Sequence, residues 1–241
     1  MKKIVILSAL ASLFAVSVHA EDAAPAVATN FSLTTNYKYR GQDQGNNKPA
    51  LQGGFDYANS GFYVGNWNSS IGFTNAGIEM DFYGGYKGQI TPDIGFDVGV
   101  LQYYYPQKDK DLNPNTTEIY GGLSYGPVSL KYSSTVSKDY FALGEGSGLD
   151  GSPGRGTGYL DLAGNFEVAK GITLNAHMGY TALKSDLKDA GYKNYYDYKF
   201  GATMDLGSGF AAAAAIVGAN KKDVYGDINK PRAILTLTKS M

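Results

Sequence analysis

Apolar and polar residues alternate along about twelve segments of roughly ten residues each, and this repeat constrains the fold more than any other feature. In FSLTTNYKYRG, residues 31–41, apolar and aromatic side chains take almost every second position. A period of two predicts β-strands with one apolar and one polar face. Such strands fit a soluble sandwich, whose polar face meets water, and a membrane barrel, whose apolar face meets lipid.

The connections between the segments distinguish these two folds. Those after even-numbered segments are short and rich in turn residues, such as Asn59-Ser60-Gly61 and Gly126-Pro127. Those after odd-numbered segments are longer and polar, such as residues 106–117 and 137–156. Short periplasmic turns alternating with long extracellular loops are typical of outer-membrane barrels. The sequence therefore predicts an all-β fold, a transmembrane antiparallel up-and-down β-barrel of about 12 strands within residues 30–241.

The start of the chain has the pattern of an export signal. Lys2 and Lys3 precede an apolar run from Ile4 to Val18, which is too short to span a membrane as a helix. We interpret residues 1–20 as a signal peptide cleaved between Ala20 and Glu21, followed by a short linker, 21–29. The expected location is the bacterial outer membrane of a Gram-negative cell.

Composition excludes several other functions. The chain has no cysteine, so disulfides and thiolate metal sites are absent, and a net charge of −1 gives no reason to expect nucleic acid. We expect no cofactor and no metal. Asp109 and Asp111 have the alternate spacing of a calcium loop, but Pro114 stands where that loop needs glycine, so a weak surface calcium site is only an alternative.

The polar face of the segments defines the candidate lumen. Its candidate pore-lining residues are Lys38, Arg40, Asp56, Glu79, Asp81, Lys87, Asp97, Glu118, Lys131, Asp161, Glu167, His177, Asp197, Lys199 and Arg232. When Asp205 is included, nine acids stand against six bases, with His177 counted as neutral. This mixed, mildly acidic lumen predicts a weak preference for cations.

The end of the first segment holds the best single candidate for a constriction. Its lipid-facing residues are expected to be Phe31, Leu33, Tyr37 and Tyr39. Arg40 points into the lumen on this interpretation, where it either narrows the path or anchors a loop. The alternative is an arginine that pairs with Asp56 or Asp81 across the lumen.

Three blocks of the sequence resemble a known family. They contain Asn36-Tyr37-Lys38-Tyr39-Arg40-Gly41, the run from Pro49 to Tyr57, and Gly65-Asn66-Trp67. These motifs resemble the TorF family of proteobacterial porin-like proteins, and a looser match continues through nearly the whole mature chain. The resemblance implies an outer-membrane location and a diffusion channel, but no defined substrate.

We therefore expect a monomeric, non-enzymatic porin-like channel for passive diffusion of small hydrophilic solutes. Its other partners would be outer-membrane lipid and the barrel assembly machinery. The main alternative is a closed structural or surface-interaction barrel with a salt-bridged lumen. Two further alternatives are a hydrolase that uses His177 as its base, and a soluble lectin-like sandwich.

Overall fold

The computed structural model describes residues 26–73, 75–106 and 112–241. Within these residues twelve antiparallel strands form a closed barrel, and two short strands form a separate hairpin. The predicted signal peptide, its cleavage position and residues 21–25 of the predicted linker lie outside the described residues. No helix in the described part of the chain is long and apolar enough to cross a membrane.

Each barrel strand pairs with its neighbours in sequence, and β1 closes the barrel by pairing with both β4 and β14. The strands are β1 (Ala26–Thr34), β2 (Lys38–Tyr39), β3 (Gln42–Asp43), β4 (Ala50–Asn59), β5 (Phe62–Ser70), β6 (Ile78–Gln89), β7 (Ile94–Tyr104), β8 (Thr116–Tyr125), β9 (Val128–Thr135), β10 (Gly158–Ala169), β11 (Ile172–Ala182), β12 (Tyr195–Gly207), β13 (Phe210–Ala219) and β14 (Arg232–Ser240). The long loops, as far as the structure describes them, contain three short helices, α1 (Leu143–Gly146), α2 (Ser185–Asp189) and α3 (Lys222–Tyr225), and a 3₁₀ turn, Gly226–Asn229.

The period-two pattern marks the two faces of the wall as predicted. On β10, Leu160 and Leu162 are exposed on the outside, whereas Asp161 between them is buried. The alanine-rich segment, which has no polar contrast, forms strand β13 with Ala214 opposite Leu235 of β14. The outer face is therefore apolar and the inner face polar, as a barrel in a bilayer requires.

The connections sort by length as predicted. One end of the barrel carries tight turns, such as residues 60–61 and 126–127, and the other carries loops such as 136–157. We call these the short-turn end and the long-loop end. β1 begins and β14 ends at the short-turn end, as an even number of up-and-down strands requires.

The first strand differs from its prediction. β1 ends at Thr34, which pairs with Ala50, and the chain then enters the barrel. Pro49, which precedes Ala50, has no backbone N–H with which to continue that ladder. The prediction that Tyr37 and Tyr39 face lipid is therefore wrong, because Tyr37 is buried and Tyr39 packs against an interior aromatic cluster.

Candidate functional site

A short hairpin occupies the barrel interior at the long-loop end. We call residues 37–43, which contain β2 and β3, the lumen hairpin. Arg40 and Gly41 form its two-residue turn, and both have a positive φ, of 46° and 75°. Type I′ turns require positive φ at both central positions, and they match the twist of a two-residue hairpin. Arg40 therefore takes a backbone conformation that costs a non-glycine residue about 1–2 kcal/mol.

Arg40 is held by the wall strand β8. Its guanidinium donates two hydrogen bonds to the Glu118 carboxylate, Nη2 to Oε2 at 2.7 Å and Nη1 to Oε1 at 2.9 Å. It also lies 4.0 Å above the ring of Tyr159 and 4.8 Å from that of Tyr39. The bidentate geometry is that of a strong charge-assisted pair. Arg40 therefore pairs neither with Asp56 nor with Asp81, the two partners expected from the sequence.

Tyrosines join the lumen hairpin to the same side of the wall. Tyr37 Oη donates to the Glu79 carboxylate of β6 at 2.6 Å, and Tyr39 Oη lies 2.6 Å from Tyr103 Oη of β7. Tyr37 also packs edge-to-face on Trp67 of β5. A phenol has an apolar ring and a hydroxyl, so it fits an interior that offers both aromatic rings and carboxylates.

The opposite side of the hairpin touches the last long loop and β12. Lys38 Nζ donates to the carbonyls of Ile228 and Gly41, at 2.8 and 3.0 Å. Burial lowers the pKa of Lys38 to about 8, while nearby Asp43 favours the charged form, so the amine is still largely protonated at pH 7. Gly41 lies against Asp197, where an added Cβ would come within 2.6 Å of the Asp197 Cβ. The hairpin thus spans the interior from β6 to β12.

A second polar cluster lies on β10, β11 and β12. His177 Nδ1 is 2.6 Å from Asp161 Oδ1, and Nε2 is 2.6 Å from Asp197 Oδ1. Tyr159 Oη lies 3.2 Å from both His177 Nε2 and Asp197 Oδ1. Because both ring nitrogens face carboxylates, neither is directed at a serine nucleophile of the kind a hydrolase needs.

The interior towards the short-turn end combines tyrosines with charges. Tyr63 Oη donates to Asp97 at 2.6 Å, and Tyr83 Oη donates to Asp56 at 2.6 Å. The ammonium of Lys87 lies over the ring of Tyr63 at 5.5 Å. Small residues lie on part of this inner face, because Gly201 and Ala213 occupy inward positions of neighbouring strands and Gly201 pairs with Asn175.

The candidate pore-lining residues differ in how exposed they are. Buried inside the barrel are Lys38, Arg40, Glu79, Asp81, Asp97, Glu118, Asp161 and Asp197. Partly exposed are Asp56, Lys87, Lys131, His177, Lys199 and Arg232, and exposed near the short-turn end is Glu167. Glu167 accepts a hydrogen bond from the Gly171 backbone at 3.4 Å, which ties it to a turn.

Interior tyrosines are the functional residues that sequence reasoning missed. Tyr103 and Tyr159 occupy positions of inner-face parity in their strands, Tyr105 continues that parity one residue beyond the end of β7, and all three are buried. The alternation could have assigned each to the inner face. Two of them contact the hairpin, Tyr103 through Tyr39 and Tyr159 through Arg40, and these contacts depend on the path of the hairpin, which no local pattern encodes.

No metal centre is found among the described residues, since no group of three or more His, Asp or Glu side chains could hold an ion. Asp109 and Asp111, of the alternative calcium loop, lie outside them.

A comparison with protein families matches residues 19–240 to a group described as bacterial protein of unknown function (Gcw_chp). The chain belongs to the Gcw_chp family. No curated protein sequence matches it. Members of this family therefore share a sequence pattern that covers the whole barrel described above.

Solved porin structures share the fold of this Gcw_chp protein. KdgM porin superposes with a TM-score of 0.56 at 8% identity, over 89% of this chain and 99% of that chain. NanC porin superposes with a TM-score of 0.56 at 9% identity, over 88% of this chain and 98% of that chain. A KdgM porin described as in complex with disordered oligogalacturonate gives a TM-score of 0.54 at 7% identity, over 90% of this chain and 99% of that chain. The chain has the closed 12-strand architecture of these porins.

Proposed function

We propose that this protein is an outer-membrane, porin-like channel for passive diffusion of small hydrophilic solutes, narrowed by the lumen hairpin. The observation that carries the proposal is the closed barrel with an apolar outside and a charged inside, crossed at one end by Arg40. The likeness of fold to KdgM and NanC porins and the sequence resemblance to the TorF family support it. The short-turn end would face the periplasm.

The lumen has two zones on this proposal. The long-loop half is filled by the hairpin and its aromatic partners, so it sets the size limit for a solute. The short-turn half has glycine and alanine on parts of its inner face, so it forms a wider vestibule. Solutes would pass beside the hairpin, or through the space that opens when the hairpin moves.

The charge of the interior bears on which solutes pass. Acidic sugars need cationic side chains for recognition, and here Arg40 already holds Glu118. Interior carboxylates such as Glu79 and Asp197 are buried among hydrogen-bond donors. We therefore propose neutral or cationic small solutes, with the weak cation preference expected from the sequence.

A second candidate function has its own supporting observation. The side chains of Arg40 and Glu118 are only 5% and 2% exposed, so the centre of the long-loop half is tightly packed. A barrel packed in this way could be a closed structural or surface-interaction protein. In that case the hairpin would be a permanent plug.

Single-channel recording in planar bilayers tests the proposed function. Folded protein, identified by its heat-modifiable migration on a denaturing gel, should give conductance steps. Neutral polymers of increasing size should stop reducing the conductance above a narrow size limit, because the hairpin excludes larger ones. Folded protein that gives no steps at any voltage would contradict the channel and favour the closed barrel.

A further inference from the structure

A shallow groove on the outer face of the barrel lies where β1, β14 and β13 adjoin. Its volume is about 400 Å³, and it is lined mainly by Leu33, Pro49, Ala212, Leu235 and Leu237. The three leucines are exposed on the outside of the wall. An apolar cavity of about 150 Å³ already holds a molecule of benzene. The groove is therefore large enough for a segment of an acyl chain.

Two features of the wall produce the groove. On β13, Ala212 stands between Leu237 of β14 and Met204 of β12, so a methyl group lies between two long side chains. At the end of β1 the chain turns into the barrel just beyond Thr35, whose N–H donates to the Leu235 carbonyl at 2.9 Å. The Leu235 N–H in turn donates to Thr35 Oγ1 at 3.0 Å. These two bonds fix the corner, and the wall is recessed beside it.

The groove lies within the apolar band, below the edge of that band at the long-loop end. Outward-facing Tyr196 and Tyr198 of β12 mark this edge, because aromatic side chains collect at membrane interfaces. Tyr198 pairs with Gly218 of β13, and a Cβ added to Gly218 would lie 2.9 Å from Pro231. Pro231 is therefore level with the aromatic edge. Leu235 lies further along β14, towards the middle of the wall, at the depth of acyl chains.

Lysines lie at the long-loop edge of the groove. Lys48 directly precedes the proline of the groove, Lys230 lies just before β14, and both are exposed. The segments that carry them are joined, because Gln42 Nε2 donates to Asn229 Oδ1 at 2.9 Å. The loop before β14 has three lysines against two aspartates, and residues 44–49 have no acid. A lysine can lay its apolar stem along the groove and keep its ammonium at the interface.

We propose that this groove binds a phosphate-bearing lipid from the leaflet at the long-loop end. An acyl chain lies along Leu33, Leu235 and Leu237, and the headgroup phosphate contacts the ammonium groups of Lys48 and Lys230. The apolar groove and its positively charged edge match the two parts of such a lipid in the order in which a bilayer presents them. This inference goes beyond the proposed channel, since it needs a barrel in a membrane but no passage of solute.

Native mass spectrometry of the detergent-folded barrel tests the site without any current. Two lipids with the same chains serve as probes: dioleoylphosphatidic acid, which has a phosphate, and dioleoylglycerol, which has none. Wild type should bind one phosphatidic acid at least about tenfold more tightly than dioleoylglycerol, because two lysines attract the phosphate. Equal affinity for both lipids would overturn the recognition of phosphate.

Paired lysine variants test the charged edge. Lys48→Gln with Lys230→Gln should weaken the binding of phosphatidic acid about thirtyfold. Lys184→Gln with Lys188→Gln removes the same charge from exposed positions at the same end, in the loop that contains α2, and is the matched control. The control should keep nearly the wild-type affinity. Equal losses in the two double variants would overturn the site, because they would show diffuse attraction to the whole long-loop end.

Filling the groove tests the position of the acyl chain. Ala212→Phe should weaken the binding of phosphatidic acid, whereas Ala176→Phe, at an outward-facing position opposite Phe200, should leave it unchanged. Heat-modifiable migration on a gel shows which variants are folded, and Ala212→Leu provides the same test with a smaller side chain. Wild-type affinity in folded Ala212→Phe or Ala212→Leu would overturn the groove as the binding site.

Discussion

Arg40, at the turn of the lumen hairpin, and Glu118, on wall strand β8, form a buried bidentate ion pair inside the barrel. The pair fixes the tip of the hairpin to the wall, in addition to the hydroxyl contacts of the hairpin tyrosines and the bond from Lys38 to Ile228. Its energetic role follows from burial, because removing one member leaves the other charge without a partner.

Arg40→Ala and Glu118→Gln should each destabilise the barrel, with the alanine variant losing about 3–5 kcal/mol because Glu118 stays buried and charged. The double variant Arg40→Ala with Glu118→Gln should lose less than the sum of the two single variants, with a coupling energy of about 0.5–3 kcal/mol. Denaturant unfolding in detergent measures both quantities. Additive losses in the double variant would mean that the two side chains do not interact.

Gly41→Ala should disturb the packing of the hairpin turn against the barrel wall. An added Cβ would lie 2.6 Å from the Gly218 carbonyl oxygen and from the Asp197 Cβ. Gly148→Ala is the matched control, since Gly148 also has a positive φ but no atom within 4 Å of an added Cβ. The overpacking should cost Gly41→Ala about 1–3 kcal/mol more than the control. Equal unfolding free energies would show that the hairpin tip does not contact the wall.

Tyr37→Phe tests the corrected position of the first segment. Loss of the hydroxyl takes one donor from buried Glu79 and should cost about 1–3 kcal/mol. Tyr132→Phe, at an outward-facing position that is 52% exposed, should change stability by less than about 0.5 kcal/mol. If the two variants had the same small effect, Tyr37 would lie on the lipid side as the alternation alone suggests.

His177→Ala should destabilise the barrel by about 1.5–3 kcal/mol, because Asp161 and Asp197 both lose a hydrogen bond to the ring. The wild-type protein should show no hydrolysis of soluble esters or lipid, since both ring nitrogens face carboxylates. Ester hydrolysis that disappears in His177→Ala would support the hydrolase alternative instead. Glu167→Gln, at the exposed short-turn end, serves as the control for both measurements.

The barrel could be predicted from the sequence, because period-two alternation and turn length are local properties of each strand. The alanine run of β13 has no polar contrast, so its strand follows only from the space between its flanking turns. The position of the hairpin could not be predicted. Alternation continues through Tyr37 and Tyr39 although the chain has left the wall, and tyrosine is suited both to lipid interfaces and to a polar interior.

The partner of Arg40 could not be predicted from the sequence for a related reason. Glu118, Asp56 and Asp81 all have inner-face parity, so parity does not distinguish Glu118 from the two partners expected. The choice among them depends on how far the hairpin reaches across the closed barrel. That distance is set by strand number and register, which no single segment encodes.

On the proposed function, the barrel wall encloses a path which the lumen hairpin narrows. Thr34 and Ala50 are direct partners, so residues 35–49 can be replaced by a two-residue asparagine–glycine turn without changing the wall. Glu118→Gln in the same chain avoids a buried unpaired carboxylate.

Single-channel conductance of this hairpin-deleted barrel, beside wild type, tests the claim most directly. We expect small steps from wild type and steps several times larger from the deleted barrel, with both proteins shown to be folded by gel shift. Equal conductance, or no steps from either folded protein, would contradict it.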